Sequence, residues 1–271
     1  MTAGPRLTAA GLQRLGRELS PRDWAVLRDV ARFRLMSGRQ LQRLHVGDDE
    51  TAARAARRLL ARLSRDGLLA RLERRVGGLR AGSAGYVYGL GGAGHRLLHP
   101  DAPRRRLHEV RDGFLAHTLA LADVYVLLRQ AEQRGQLELL TVEAEPHCWR
   151  RLDSGDWLKP DLHVVIGMGE EALHSFVELD LATEHSPALL RKLRQYETAY
   201  RNGAVEAAAG VFPRVVWLVP TEARAAQVRR LIRSPGLTPE LHAIARQSGV
   251  LAALTAGELD GGDTRTTAGI D

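Results

Sequence analysis

The sequence is short of several things at once. Cys148 is the one cysteine among 271 residues. A single thiol forms no internal disulfide and cannot supply the paired cysteines of the common zinc fingers, so a reducing cytoplasm is the simplest setting. Aromatics make up 5% of the chain, and no apolar run is long enough to span a bilayer. The first twenty residues carry Arg6, Arg14, Arg17 and Glu18 without an apolar block, so neither a signal peptide nor membrane association is expected. Lysine is the scarcest charged residue: Lys159 and Lys192 are the only two of 39 basic residues. The arginine bias fits a GC-rich genome. Arginine keeps its proton at any working pH, so a site needing a compact or titratable ammonium must draw on those two lysines.

The charge that is present is unevenly spread. Residues 1–112 hold 23 arginines against 11 acidic residues, and residues 113–271 hold 16 basic against 21 acidic residues. A basic front half joined to an acidic rear half suggests two domains with different work, the front one suited to phosphate backbones. Within the front half, Arg54, Arg58, Arg62 and Arg65, with Arg57 beside them, fall on one side of a predicted helix. Ala52, Ala55, Ala56, Leu59 and Leu63 fall on the other.

The order of elements around that stripe is informative. Residues 1–19 read as a loose or weakly helical arm. Ser20-Pro21 starts a helix, Ser37-Gly38 breaks it, Arg39 to His45 form a second, and Glu50 to Ser64 a third. Leu68–Glu73 and Tyr86–Tyr88 read as strands around a Gly-rich tip. Three helices and a hairpin over 20–99 have the layout of a winged helix-turn-helix, with the third helix as groove reader and Arg39, Arg71, Arg74, Arg75 and Arg80 as further backbone contacts on double-stranded DNA. Gly89, Gly91 and Gly94 match the spacing G-x-G-x-x-G, but a Gly-rich hairpin precedes them rather than a buried parallel strand, so a dinucleotide site is not expected. Residues 100–112, with three consecutive arginines, read as a basic linker.

From residue 113 the pattern changes. A long helix over 113–133 precedes strands at 137–145, 162–166 and 176–181, a helix at 188–201, a strand at 215–219 and a helix from Thr221 to Ile232. The expected class is α/β, or α+β overall, with an αβββαβα second domain over 113–257 and a disordered tail over 258–271. Glu178 and Asp180 lie two apart in an apolar strand and so share a face, Asp161 opens the preceding strand, and Glu145 ends the one before it. Such carboxylates are costly unless paired, hydrogen-bonded or metal-bound, and Asp161, Glu178, Asp180 and Glu145 are of the hard-oxygen type that suits Mg²⁺ or Mn²⁺. Trp149, Trp157 and Trp217 read as packing, as does the stripe Leu189, Leu193, Tyr196 and Tyr200.

Pro160-Asp161 followed by Glu178-Leu179-Asp180 resembles the PD-(D/E)xK nuclease signature, with Asp180 where a lysine is usual and Lys192 able to supply the ammonium from the next helix. The resemblance implies Asp161, Glu178, Asp180 and Lys192 as catalytic residues around a divalent cation. The opposing reading is a nuclease-like fold without chemistry, its carboxylates held by Arg191, Arg194 or backbone donors. From about Ser20 to Ile232 the chain also resembles the replication-relaxation family, through the front module, Lys159-Pro160-Asp161, Phe176 to Asp180, Thr183-Glu184, Leu190 to Leu193 and Tyr196. That resemblance implies a protein of plasmids or conjugative elements acting in replication or mobilisation, with relaxase or replication proteins as partners. The competing expectation is a transcriptional regulator whose second domain serves sensing or assembly of a homodimer.

Overall fold

A computed structural model describes residues 8–75, 86–101, 112–182, 184–203, 205–206 and 210–256, the side chains of 73–75 and 112 excepted. Arg80 and the hairpin tip, the side chains of Arg74 and Arg75, most of the expected linker, Thr183 and the expected tail lie outside the described residues. The chain divides into two compact units, Met1–Gln130 and Ala131–Asp271. Among the described residues no helix is long and apolar enough to cross a membrane.

In the first unit, each helix start is written locally in the sequence. Helix α1 (Ala9–Glu18) takes the helical alternative of the expected loose or weakly helical arm, with the Thr8 hydroxyl accepting from the Gly11 N–H. Helix α2 (Pro21–Phe33) opens on a capping box: Ser20 Oγ accepts from the Asp23 N–H, and Asp23 accepts from the Ser20 N–H. Ser37 and Gln40 repeat the device at α3 (Gly38–His45), and Asp49 caps α4 (Glu50–Arg65). Val26, Leu27 and Val30 of α2 are fully buried, each burial being worth roughly 1.5–3 kcal/mol. The packed stripe of α4 is Ala52, Ala56, Leu60 and Leu63, so Leu60 joins the core, whereas Ala55 and Leu59 of the expected stripe are only half-buried. Strands β1 (Met36–Ser37), β2 (Leu69–Arg75) and β3 (Tyr86–Leu90) form an antiparallel sheet in the order β1-β3-β2, followed by α5 (Gly92–Leu98).

The glycine motif has a packing explanation. A Cβ on Gly91 would sit 2.2 Å from the Gly67 carbonyl oxygen, and one on Gly94 would sit 2.2 Å from that of Leu68. Gly91 N–H donates to the Leu68 carbonyl and Ala93 N–H to that of Gly67. These glycines let α5 lie directly against the backbone entering β2.

Helix α6 (Asp112–Gln133) was expected to open the second domain, yet most of it lies in the first unit. Its Leu115 and Leu119 pack with Leu35 and Val87. Buried Gln40 donates from Nε2 to the Leu119 carbonyl at 2.7 Å and to Asp123 at 2.9 Å, and the Tyr125 hydroxyl donates to Asp29 at 2.9 Å.

The second unit is built on a five-stranded sheet. Strands β4 (Glu138–Ala144), β7 (Leu162–Met168) and β8 (Glu171–Leu179) form an antiparallel meander, with a small hairpin of β5 (Arg150–Arg151) and β6 (Trp157–Leu158) between the first two. Strands β9 (Arg214–Val219) and β10 (His242–Arg246) then add in parallel, giving the order β10-β9-β8-β7-β4. Parallel neighbours need crossovers, which α7 (Ser186–Asn202) and α8 (Glu222–Ile232) supply. Helix α9 (Val250–Thr255) follows β10. The β5–β6 hairpin, β10 and α9 are additions to the order read from sequence. One core cluster joins Phe176, Val215, Trp217 and Val219 of the sheet to Leu189, Leu193 and Tyr196 of α7 and Ala225, Val228 and Ile232 of α8.

Candidate functional site

Two sites are built from the residues singled out in the sequence, one in each unit. In the first, burial of Ala52, Ala56, Leu60 and Leu63 turns Arg54, Arg57, Arg58 and Arg65 of α4 outward, and all four are exposed. Arg39 at the start of α3 is exposed as well, and the Arg71 guanidinium stacks 4.2 Å from the ring centre of Tyr86. Arg62 differs from its neighbours. Its Nη2 lies 2.5 Å from Oδ1 of Asp23, whose side chain is 3% exposed, so it is occupied in holding α4 to α2. Burial alone would raise the Asp23 pKa, but hydrogen bonds from Ser20 and the Arg62 guanidinium outweigh it and hold the carboxyl below its ordinary value.

In the second unit, strand register does most of the assembly. Leu162 pairs with both Ala144 and Val177, so the adjoining ladder positions set Glu145, Asp161 and Glu178 in one row. Glu145 N–H donates to the Asp161 carbonyl, and Asp161 N–H to that of Val177. The lone thiol, Cys148, donates to the Pro160 carbonyl at 3.0 Å and so helps seat Asp161. The Asp161 carboxylate accepts from the Leu179 N–H at 2.7 Å. Glu178 is 1% exposed; its Oε1 accepts from the Tyr196 hydroxyl at 2.5 Å and its Oε2 pairs with Lys192 Nζ.

The electrostatics follow from that burial. Loss of water pushes the Glu178 carboxyl up to about 8, with Asp161 adding to the rise, while Lys192 and Tyr196 pull against it. Burial by itself would lower Lys192, but Glu178, Asp161 and Glu184 outweigh it and raise the ammonium above its ordinary value. Tyr196 is pushed well up, first by burial and then by Glu178. Glu178 and Lys192 therefore titrate as a coupled pair, the carboxyl raised by burial and the ammonium raised by the acidic groups around it.

Asp180 serves a different partner. It shares the helix-covered face with Glu178, as the two-residue spacing requires, but its Oδ2 lies 2.5 Å from Arg224 Nε on α8. Arg224 Nη2 also donates to the Glu184 carbonyl at 2.7 Å, and Asp180 Oδ1 accepts from the Ala182 N–H. Asp180 thus ties β8 to α8 and does not join Asp161 and Glu178. Of the holders expected for the carboxylates, a backbone N–H is present at Asp161, whereas Arg224, Lys192 and Tyr196 stand in place of Arg191 and Arg194. Among the described residues no group of three or more Asp, Glu, His or Cys is gathered as a cation would need. Both oxygens of Glu178 and one of Asp161 already face donors, so as arranged this donor set does not fit a resident Mg²⁺ or Mn²⁺.

A cavity of about 310 Å³ opens beside Glu178. It is lined by Trp157, Lys159, Lys192, Gln195 and Tyr196 among others, so both lysines of the chain border it. Trp217 and Tyr196 are buried as expected, but Trp157 is 46% exposed, and Lys159 Nζ stands 4.8 Å over the ring of Trp149. Tyr200, expected in the apolar stripe, is 40% exposed. Sequence reasoning missed Arg224, Gln195 and the exposure of Trp157. The scarcity of lysine pointed toward the cavity, as did the nuclease-like reading of Glu178 and Lys192.

A cationic helix face and a buried carboxylate–lysine site, each in its own unit of a mixed helix-and-sheet chain, define a two-part α/β protein. The chain belongs to the replication-relaxation family, whose model matches residues 27–215, from inside α2 to the second residue of β9. No curated protein and no solved structure matches it. The match takes in α4, Asp161, Glu178 and Lys192, and Arg224 lies beyond it.

Proposed function

We propose that the protein binds DNA of a plasmid or mobile element and acts in its replication, relaxation or mobilisation. The first unit is read as a winged helix-turn-helix: α3 and α4 form the helix pair, α4 enters the major groove, and β2–β3 is the wing. The observation that carries this is the outward set Arg54, Arg57, Arg58 and Arg65 on a helix whose other face is core. Such a face neutralises phosphates with guanidinium groups and gains affinity through counterion release. Duplex binding by the Arg54→Ala, Arg58→Ala double variant tests it. Affinity falls while the far-ultraviolet spectrum stays native; unchanged affinity rejects the docking of α4.

The second unit is read as a PD-(D/E)xK-like scaffold used for binding rather than cleavage. The support is the engagement of its carboxylates: Asp180 by Arg224, Glu178 by Lys192 and Tyr196, and Asp161 by the Leu179 N–H. Supercoiled plasmid incubated with the protein and Mg²⁺ or Mn²⁺ remains uncut on this reading. Nicking that disappears in Asp161→Ala would restore the enzymatic alternative.

A further inference from the structure

We infer that the β5–β6 hairpin and the cavity beside it bind an unpaired DNA strand, one nucleotide of which enters the cavity. This rests on the reading of the second unit as a DNA-handling module and specifies what it handles. Along β6 and the next residue, Trp157 and Lys159 are exposed while Leu158 between them is 1% exposed. The alternation of a strand therefore sets the indole and the ammonium on one face. Arg151 is paired directly opposite Trp157 and is exposed as well. An exposed tryptophan flanked by a guanidinium and an ammonium offers what single strands use, a ring on which any base stacks and cations that follow the phosphates.

The cavity continues that surface inward. Its volume of about 310 Å³ lies at the small end of ligand sites, roughly 300–1,000 Å³, enough for one unstacked nucleotide and too small for a base pair. Lys159 and Lys192 line it, and so does Gln195 with an amide able to donate and accept. The two acidic side chains in the lining are both engaged: Asp156 accepts from the Ser154 hydroxyl at 3.2 Å, and Glu178 is paired with Lys192. Lys192 thus offsets Glu178, Asp156 keeps its charge beside a neutral hydroxyl, and Lys159 is the ammonium that meets an entering phosphate.

The test uses the full chain in EDTA, with fluorescence polarisation of labelled oligo-dT and of a labelled blunt duplex. Trp157→Ala weakens oligo-dT binding roughly ten-fold, the scale of one lost base-stacking contact, while Trp157→Phe stays within about two-fold of the parent. Arg151→Glu, a surface change independent of the ring, also weakens oligo-dT binding. None of the three moves duplex affinity. Oligo-dT affinity untouched by both Trp157→Ala and Arg151→Glu overturns the inference. The Arg54→Ala, Arg58→Ala variant measured in parallel keeps the two readings apart: its failure to weaken duplex binding counts against α4 alone, whereas unmoved oligo-dT binding in the hairpin variants counts against the hairpin alone.

Discussion

Arg62 and Asp23 form an ion pair at 2.5 Å that joins the last turn of the cationic helix α4 to the capped start of α2. One guanidinium of the arginine row therefore works inward, Arg65 lies 3.5 Å from Asp66 at the helix end, and Arg54, Arg57 and Arg58 face solvent. Arg62→Ala leaves a nearly buried carboxylate with only its Ser20 contacts. The loss in urea unfolding is expected at about 1–3 kcal/mol, the lower end applying because Arg62 itself is 39% exposed. Arg58→Ala at an exposed position moves stability by less than about 0.5 kcal/mol. Equal unfolding curves for the two variants would refute the distinction.

The salt dependence of duplex binding counts phosphate contacts. Each of Arg54 and Arg58, replaced singly by alanine, is expected to reduce the slope of log K against log salt by roughly 1. A parent slope close to zero would show that the exposed arginines of α4 do not meet the backbone.

Glu178 gives the second unit a pH signature. Its folded-state pKa of about 8 lies above the ordinary 4.5, so the folded chain holds more protons than the unfolded one between those values. The contribution is complete below about pH 4.5, and stability declines as pH rises toward 8. Glu178→Gln removes that slope, so the difference in unfolding free energy between parent and variant changes steadily across the window. A constant difference between them would contradict the assignment.

Gly94 and Gly92 make an internal control. A methyl at Gly94 meets the Leu68 carbonyl oxygen at 2.2 Å, whereas nothing lies within 4 Å of one at Gly92. Gly94→Ala is expected to cost on the order of 2–4 kcal/mol of first-unit stability, and Gly92→Ala to be nearly neutral. Thermal unfolding reads both, and equal melting temperatures would remove the close-packing explanation of the motif.

What could be read in advance was local. Ser20-Pro21 and Thr221 mark helix starts through contacts within three residues, and the apolar run from Leu162 to Ile166 needs no partner to declare itself a buried strand; Ser37, which reads as a break, and Asp49 cap helices in the same local way. What escaped was set by distance along the chain. Strand β10, His-Ala-Ile-Ala-Arg, has no strong alternation and exists because β9 offers it an edge. Asp180 resembled a ligand until Arg224, 44 residues later, arrived beside it. Arg62 looked like its neighbours because its partner Asp23 lies 39 residues earlier. Trp157 reads as core by residue type, although its place opposite Arg151 on a short hairpin leaves the indole 46% exposed.

The grip of Gln40 on Leu119 and Asp123, with Leu115 and Leu119 seated on Leu35 and Val87, bears on how the molecule can be dissected. A fragment cut at residue 100, where the basic stretch invites a boundary, would bare the greasy underside of its own sheet and orphan a buried amide. The smallest autonomous front piece has to retain α6, and limited digestion that respects this architecture should leave that helix attached to the arginine-bearing portion.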